Sequence, residues 1–322
     1  MASPTRPLKV GLLFPHWNAG REDTPHRWND LRAIAERAET IGFDSLWVVD
    51  HLLVRLAAVN AQYGDPVTPE LAVAEPMGVW EGWSLLAALA TVTRRVELGP
   101  LVACTGYRNP ALLAKIADTV DEISGGRLIL GLGAGDFEDE HHTFGFRWDY
   151  RVGRFEEALQ IIHPLLREGR VDFAGAYYQT RDCERRPRGP RLDGPPFLIG
   201  ALGTGPRMMG LTARYADLWN GWLAFDRSFP DAVPPLREAI DAACAAIGRD
   251  PATLARTVAI RVAFFGQTVR DATPLTGSPR ELAEFLRDFA AEGISHVQIW
   301  LTPNNLAAVE AFAPVLELLD RG

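Results

Sequence analysis

The sequence predicts an α/β fold, a closed (β/α)8 barrel forming a single domain over residues 1–322. Three observations carry that expectation. Short, near-continuous apolar runs alternate eight times with longer helical stretches, the pattern of a parallel sheet covered by helices. The 322 residues, 47% of them hydrophobic, suffice for one large core, and α/β barrels routinely run beyond ~250 residues as one unit. The long irregular stretches at 50–80, 133–150 and 265–277 each follow a strand, where a barrel places its active-site loops.

The first strand reads Leu8–Phe14 and is stopped by Pro15; a helix over Arg27–Ile41 follows, with Leu31, Ile34, Ala35 and Ala38 on one face. Strand two reads Phe43–Val49, and Glu81–Val92 is helical. Strand three covers Val96–Val102, before a helix over Pro110–Ile123 with proline at its first position. Strand four reads Arg127–Leu132 and precedes a helix over Arg151–Arg167. The remaining strands read Phe197–Ala201, a run near Leu218, Val258–Phe264 and Ile294–Leu301. Helices follow each, through Arg207–Tyr215 and over Pro234–Ile247, Pro279–Ala291 and Asn305–Leu319. Residues 169–196 form an insertion before strand five, with a small hairpin whose halves, Val171–Phe173 and Tyr177–Gln179, flank Gly175.

The composition excludes several partners. With 23% charged residues and a net charge of −8, the chain is a poor ligand for nucleic acid or an anionic membrane. No segment reaches the ~18 apolar residues of a membrane span. Three widely spaced cysteines, Cys104, Cys183 and Cys244, point to reduced thiols in a cytoplasmic protein.

The chemistry-bearing residues fall after strands. Asp50-His51 closes strand two, and an imidazole there can exchange a proton because its ordinary pKa lies near neutrality; capping the strand end is the plainer role. Gly133, Ala134 and Gly135 end a GxGxG run after strand four. A dinucleotide fingerprint is the rival reading, but no helix pattern starts directly after it, and Asp136, Glu138, Asp139 and Glu140 follow. Small residues there let the backbone approach a phosphate or a flat ring. Gly200, Ala201, Gly203 and Thr204, with Arg207, open the helix after strand five. Helix amides plus a guanidinium suit a phosphate; the alternative is a glycine-rich turn without a ligand. His16, Trp17 and Asn18 follow strand one, and they join Trp80 and Trp222 as candidates for lining a substrate pocket. Glu140-His141-His142 is too compact for a metal site, so no metal is expected.

The order and spacing of longer motifs are more specific. Val49-Asp50-His51-Leu52 is followed by Glu81-Gly-Trp-Ser-Leu-Leu, Thr93-Arg-Arg-Val-Glu-Leu-Gly-Pro, Tyr107-Arg-Asn-Pro, Asp121-Glu-Ile-Ser-Gly-Gly-Arg and Gly131-Leu-Gly-Ala-Gly, with Arg214-Tyr-Ala-Asp-Leu-Trp-Asn further on. Over roughly residues 8–250 this resembles the bacterial-luciferase-like monooxygenase family, most of all members that use coenzyme F420, a deazaflavin. The resemblance implies that His51 lies beside the reactive ring, with Asp50, the Gly133–Gly135 segment and His141 near the cofactor. It implies a non-proline cis peptide at Leu101–Val102, or a neighbouring bond, behind the ring. It places the cofactor phosphate at Gly200–Arg207. Where Asp136 stands, relatives carry tryptophan or glutamate, which leaves a shortened acid catalyst and a solvated rim carboxylate both open. The run Arg185, Arg186, Arg188 and Arg191 is either a solvated loop or a grip for the acidic F420 tail.

The function expected is hydride transfer between F420 and a small organic substrate, with His51 assisting the proton, in a homodimer. An FMN-dependent monooxygenase is the alternative, and a non-catalytic flavin-binding barrel subunit the third reading. The aromatic pocket points to an apolar or alicyclic substrate and leaves sugar phosphates open.

Overall fold

The computed structural model describes residues 6–17, 26–63, 66–201, 203–224, 227–264, 266–267 and 273–321. Eight parallel strands build the barrel: β1 Lys9–Leu13, β2 Ser45–Val48, β3 Glu97–Pro100, β4 Leu130–Gly133, β5 Phe197–Ala201, β6 Leu218–Trp222, β7 Ala255–Ala263 and β8 His296–Thr302. The helices that follow them are α1 Trp28–Ile41, α2 Gly82–Val92, α3 Pro110–Ser124, α4 Arg151–Arg167, α5 Pro206–Tyr215, α6 Val233–Ala246, α7 Pro279–Ala291 and α8 Leu306–Asp320. The ladder runs β3–β2–β1–β8–β7–β6–β5–β4. It closes where Leu98 of β3 bridges Leu128, and where Ala103–Cys104 pairs with Leu132 and Gly133. Those two residues continue β3 beyond a bulge at Leu101–Val102, so the ninth sheet segment is the second half of strand three.

Local chemistry sets the helix ends. Asn109 caps α3 by accepting the amides of Ala111 and Leu112, Pro110 occupies the first turn, and Gly125 stops the helix at φ +69°. Ser278 and Glu281 form a capping box on α7.

Alternation along each strand separates two apolar layers. Outward residues such as Val10, Leu12, Leu46 and Val48 pack against the helices. Leu13, Trp47, Leu101, Ile129, Leu198 and Ala259 fill the barrel, with Trp17, Val102, Trp222 and Trp300 packed on them. The lower interior is polar: Asn220 Nδ2 donates to Thr257 Oγ1 (2.8 Å) and Gln298 Oε1 (2.9 Å), Ser45 Oγ lies 2.7 Å from His296 Nε2, and the buried Gln298 Nε2 finds no partner among the described residues. Burial pushes His296 down to about 3, so it stays neutral.

Two expectations change. The hairpin pairs Arg170–Ala174 with Gln179–Glu184, leaving Tyr177 and Tyr178 in the turn. The Glu157 carboxylate of α4 accepts the amides of Ala176, Tyr177 and Tyr178, which keeps them out of the ladder. The arginine run divides: Arg186 and Arg188 are exposed, as in a solvated loop, whereas Arg185 and Arg191 are held by ion pairs away from the barrel mouth. Arg185 is 1% exposed and donates to Asp118 Oδ2 at 3.0 Å, while Arg191 donates to Asp121 Oδ2 at 2.9 Å and also reaches the Leu128 carbonyl. Asp118 and Asp121 lie in the second half of α3, which descends to the N-terminal end of β4, so these arginines brace the face opposite the mouth. Arg188 hydrogen-bonds the Glu168 carbonyl, and Arg186 pairs with Glu184. Among the described residues no helix is long and apolar enough to cross a membrane.

Candidate active site

Beyond β2 the chain carries Asp50 and His51 onto the C-terminal mouth. Arg108, just past the 3-10 turn Thr105–Tyr107, donates to Asp50 through Nη1 (2.7 Å) and Nη2 (2.9 Å), and the Cys104 amide adds a third bond at 2.9 Å. The fork geometry favours this two-point grip on a carboxylate. Arg108 Nη2 also reaches Glu81 Oε1 at 2.7 Å, and Glu81 in turn caps α2. Burial raises Asp50 to about 6 against the pull of Arg108, so it is ionised at pH 7. The chain Asp50–Arg108–Glu81 therefore locks the backbone that presents His51.

His51 is 22% exposed and stacks on Phe137 at 4.6 Å between ring centroids, with its Nδ1 2.8 Å from Glu140 Oε2. Glu140, in the short helix Glu138–Thr143, is 1% exposed. Its Oε1 accepts the amides of Leu52 and Leu53, and its Oε2 accepts Tyr107 Oη at 2.7 Å. Burial opposes charge on His51, but the fields of Asp136, Glu140 and Asp50 outweigh it and raise the imidazole to about 9. Glu140 is held below its usual range by His51 and the backbone amides despite its burial. At neutral pH the pair is imidazolium and carboxylate, where the sequence suggested an imidazole titrating near neutrality. Asp136 is half-buried in the loop after β4; burial raises its pKa, and the His51 charge pulls it back. The structure thus gathers His51, Asp136 and Glu140 into one charge-coupled group.

Beside them the barrel top is made of small residues. The Leu101–Val102 peptide is cis. Val102 rises over β4 and β5: a Cβ on Gly133 would meet Val102 Cγ2 at 2.6 Å, and one on Gly131 would meet the Pro100 carbonyl at 2.0 Å. On the other side, a Cβ on Gly200 would lie 3.1 Å from Val102 Cγ1. Ala134 is half-buried beside this floor, and Gly135, at φ +85°, backs onto Cys104 and His141. His141 is fully buried, which lowers its pKa against the opposing pull of the Phe137 carbonyl, 2.9 Å from Nδ1. His142 faces solvent, and Glu140 and His141 point to different partners. Among the described residues no His, Cys, Asp and Glu side chains gather as a metal site.

At the end of β5, nothing lies within 4 Å of a Cβ built on Gly203 or Gly205. Gly205 caps α5 without a side-chain acceptor, and Pro206 starts the first turn. Thr204 and Arg207 are exposed there, Arg207 pairing with Glu156 at 2.7 Å. Arg207 borders a cleft of about 530 Å³ lined also by Trp148, Tyr150, Arg151, Glu156 and Tyr177. Open space over helix amides, a guanidinium at hand, and a glycine floor beside it fit a phosphate-bearing ring cofactor.

The pocket candidates separate. Trp17 and Trp222 sit on the inner cluster, Trp17 edge-on to Trp300 at 5.3 Å. His16 is buried with Nδ1 2.9 Å from the Phe14 carbonyl and Nε2 3.1 Å from that of Val49. Trp80 is 47% exposed and donates Nε1 to the His26 carbonyl, and Asn18 lies outside the described residues. Sequence reasoning missed Arg108, Tyr107 and the real role of Glu140. The first two stand in the Tyr-Arg-Asn-Pro run directly before the α3 cap, where a charged residue at a strand end was the available signal.

A family model described as luciferase-like monooxygenase matches residues 8–273. The chain belongs to the luciferase-like monooxygenase family. This luciferase-like barrel is 31% identical over 242 residues to phthiodiolone/phenolphthiodiolone dimycocerosates ketoreductase of Mycobacterium tuberculosis, an alignment covering 69% of this chain and 58% of that one. The chain thus spans little more than half the length of those relatives. It is 34% identical over 257 residues to the pyrimidine monooxygenase RutA of Stutzerimonas stutzeri, covering 75% and 65%. An F420-dependent secondary alcohol dehydrogenase, in complex with an F420–acetone adduct, shares the fold with a TM-score of 0.75 at 18% identity, over 97% of this chain and 99% of that one. Luciferase-like relatives of this chain thus include both oxidoreductases and monooxygenases.

Proposed function

We propose that this chain is an F420-dependent oxidoreductase that interconverts a ketone and a secondary alcohol on a small organic substrate, with His51 as the proton donor and acceptor. The observation that carries the reading is the His51 imidazolium, held on Glu140 at the end of β2 and raised to about 9. Bound F420 would supply or take up the hydride at its deazaflavin carbon. The chain's own part is the proton. With Nδ1 committed to Glu140, His51 Nε2 is the nitrogen able to deliver a proton to a carbonyl oxygen as that oxygen gains charge. In the oxidation direction the neutral imidazole takes it back. Asp136, raised by burial, shapes the charge of that imidazole.

Leu101, Val102, Gly133 and Ala134, together with Gly200, would form the floor under the ring, with Asp50 and His141 behind it. Ala201, Gly203, Thr204 and Arg207 would hold the phosphate at the α5 N-terminus. Arg151 and Arg207 in the adjoining cleft would face an acidic tail beyond the phosphate, although Glu156 shares that wall. The ketoreductase named among the relatives and the alcohol dehydrogenase of the same fold support the reaction class. The 34% identical pyrimidine monooxygenase keeps an FMN-dependent oxygenation as the second reading.

Fluorescence titration with F420, its tail-less deazaflavin core and FMN tests the cofactor. Tightest binding by F420 is expected, and tight FMN binding with no F420 binding would reverse the reading. His51→Ala should slow single-turnover hydride transfer by ~10²–10⁴ while cofactor affinity stays within a few-fold. Near-normal transfer would make His51 structural.

A further inference from the structure

The short turn after strand three holds His51 from both sides. Arg108 grips Asp50, the residue before His51. Its neighbour Tyr107 reaches Glu140, the counter-ion of His51, by donating Oη–H to Oε2 at 2.7 Å. Tyr107 is buried, with its ring against His141 and Phe146 at 4.8 and 4.9 Å between centroids. Burial and the nearby Cys104 and Glu140 raise its hydroxyl well above the ordinary range, so it stays a donor.

Glu140 is a carboxylate with its acceptor sites taken. An ionised carboxylate offers about four lone pairs. The amides of Leu52 and Leu53 take two on Oε1, and His51 Nδ1 and Tyr107 Oη take two on Oε2. With the side chain 1% exposed, solvent does not reach it to replace a lost donor. The two donors on Oε2 compete. Tyr107 draws charge toward its own O–H, which weakens the pull of that oxygen on the imidazolium. If Glu140 instead took the Nδ1 proton, Oε2 would become a poor acceptor and lose Tyr107, so the shared proton stays on His51 and Nε2 is left to exchange. Other ionisable groups face this cluster: Asp50 beside His51, Asp136 from the loop after β4, His16 beyond β1, and Cys104 and His141 around the phenol. Arg108 is committed to Asp50 and Glu81. Among the described residues only His51 and Tyr107 bond Oε2.

We propose that Tyr107 is a positioning residue of the proton-transfer site: by sharing Oε2 of Glu140 with His51, it keeps that carboxylate anionic and loosens the hold of His51 on its proton. The inference rests on the reading of His51 as proton donor and acceptor. In that role Glu140 keeps the imidazolium charged, and Tyr107 stops the pair from becoming too tight to release the Nε2 proton to a substrate oxygen.

The test uses the full chain, first without cofactor. His51 is titrated by proton–carbon NMR in wild type, Tyr107→Phe, Glu140→Gln and the double variant. Tyr107→Phe should raise the His51 midpoint by about 0.5–1 pH unit, opposite in sign to the fall expected for Glu140→Gln. In the Glu140→Gln background the same change should move it by less than about 0.3 unit, because the shared anion is gone. Tyr107→3-fluorotyrosine, a more acidic donor of nearly the same shape, should lower the midpoint, and it carries the test if Tyr107→Phe does not fold. A midpoint that stays put or falls in Tyr107→Phe, one that does not fall with 3-fluorotyrosine, or a shift of equal size in the Glu140→Gln background would overturn the proposal. Single-turnover hydride transfer with F420 gives the second readout. In Tyr107→Phe the alkaline limb should rise with the NMR midpoint, and reduction at pH 7 should slow about two- to threefold with F420 affinity unchanged. An NMR shift of the expected sign with an unmoved rate profile would uphold the Tyr107–Glu140–His51 coupling and sink the reading of His51 as the proton donor.

Discussion

Replacing Glu140 by Gln isolates the charge that sets His51. The substitution is close to isosteric. Its Oε1 can keep the amides of Leu52 and Leu53, and its Nε2 comes to face His51 Nδ1 and Tyr107 Oη. That nitrogen donates, so it favours the neutral imidazole with a lone pair on Nδ1. The ion pair removed has its atoms 2.8 Å apart. With charge centres near 4 Å, the attraction is about 4 kcal/mol at an effective dielectric of about 20. Part of it is returned as solvation, so the imidazole pKa should fall by about 1–3 pH units, as for other opposite charges at this range. The starting point is about 9, which brings the variant back toward neutrality. The assay is a proton–carbon NMR titration of histidine-labelled protein, with the His51 resonance assigned by its loss in His51→Asn. A wild-type midpoint near 6.5, or one that does not move in Glu140→Gln, would refute the claim that this carboxylate keeps His51 charged. In hydride-transfer assays the same variant should move the alkaline limb of the pH profile downward by the same amount.

Three further outcomes follow from the geometry. His51 is raised from 6.5 to about 9 on folding, so its stabilising contribution is complete below pH 6.5 and is lost as pH rises through 9; urea denaturation should show a decline of about 3 kcal/mol across that window, absent in His51→Asn. Arg185→Met leaves Asp118 buried without its ion pair and should cost about 3–5 kcal/mol in denaturant, with cofactor affinity unchanged; a loss of F420 affinity in folded protein would return the arginine run to the cofactor. Gly131→Ala forces a Cβ to within 2.0 Å of the Pro100 carbonyl and should cost about 1–3 kcal/mol or more, whereas Gly203→Ala, with nothing within 4 Å, should leave stability within about 0.5 kcal/mol.

The eight strand–helix units were legible in the sequence because each rests on local periodicity: an apolar run for a strand, a 3.6-residue stripe for a helix, Pro110 for a helix start. The position of His51 was legible for the same reason, since the end of β2 in a barrel is the mouth. The cis bond at Leu101–Val102 came from the family resemblance alone.

What tertiary structure alone decided is who meets whom across long separations. Glu140 lies 89 residues from the His51 it charges, and in sequence it stood beside two histidines as a thin metal motif. Arg185 and Arg191 looked like a loose basic loop until Asp118 and Asp121, 67 and 70 residues earlier, drew them to the far face of the barrel. Arg261 read as one residue of an apolar strand, and only the β7–β8 register set it over Trp300. A periodic pattern reports which face of an element is buried, because burial repeats with the backbone. The partner of a single charged side chain carries no period, and is settled only when the barrel closes.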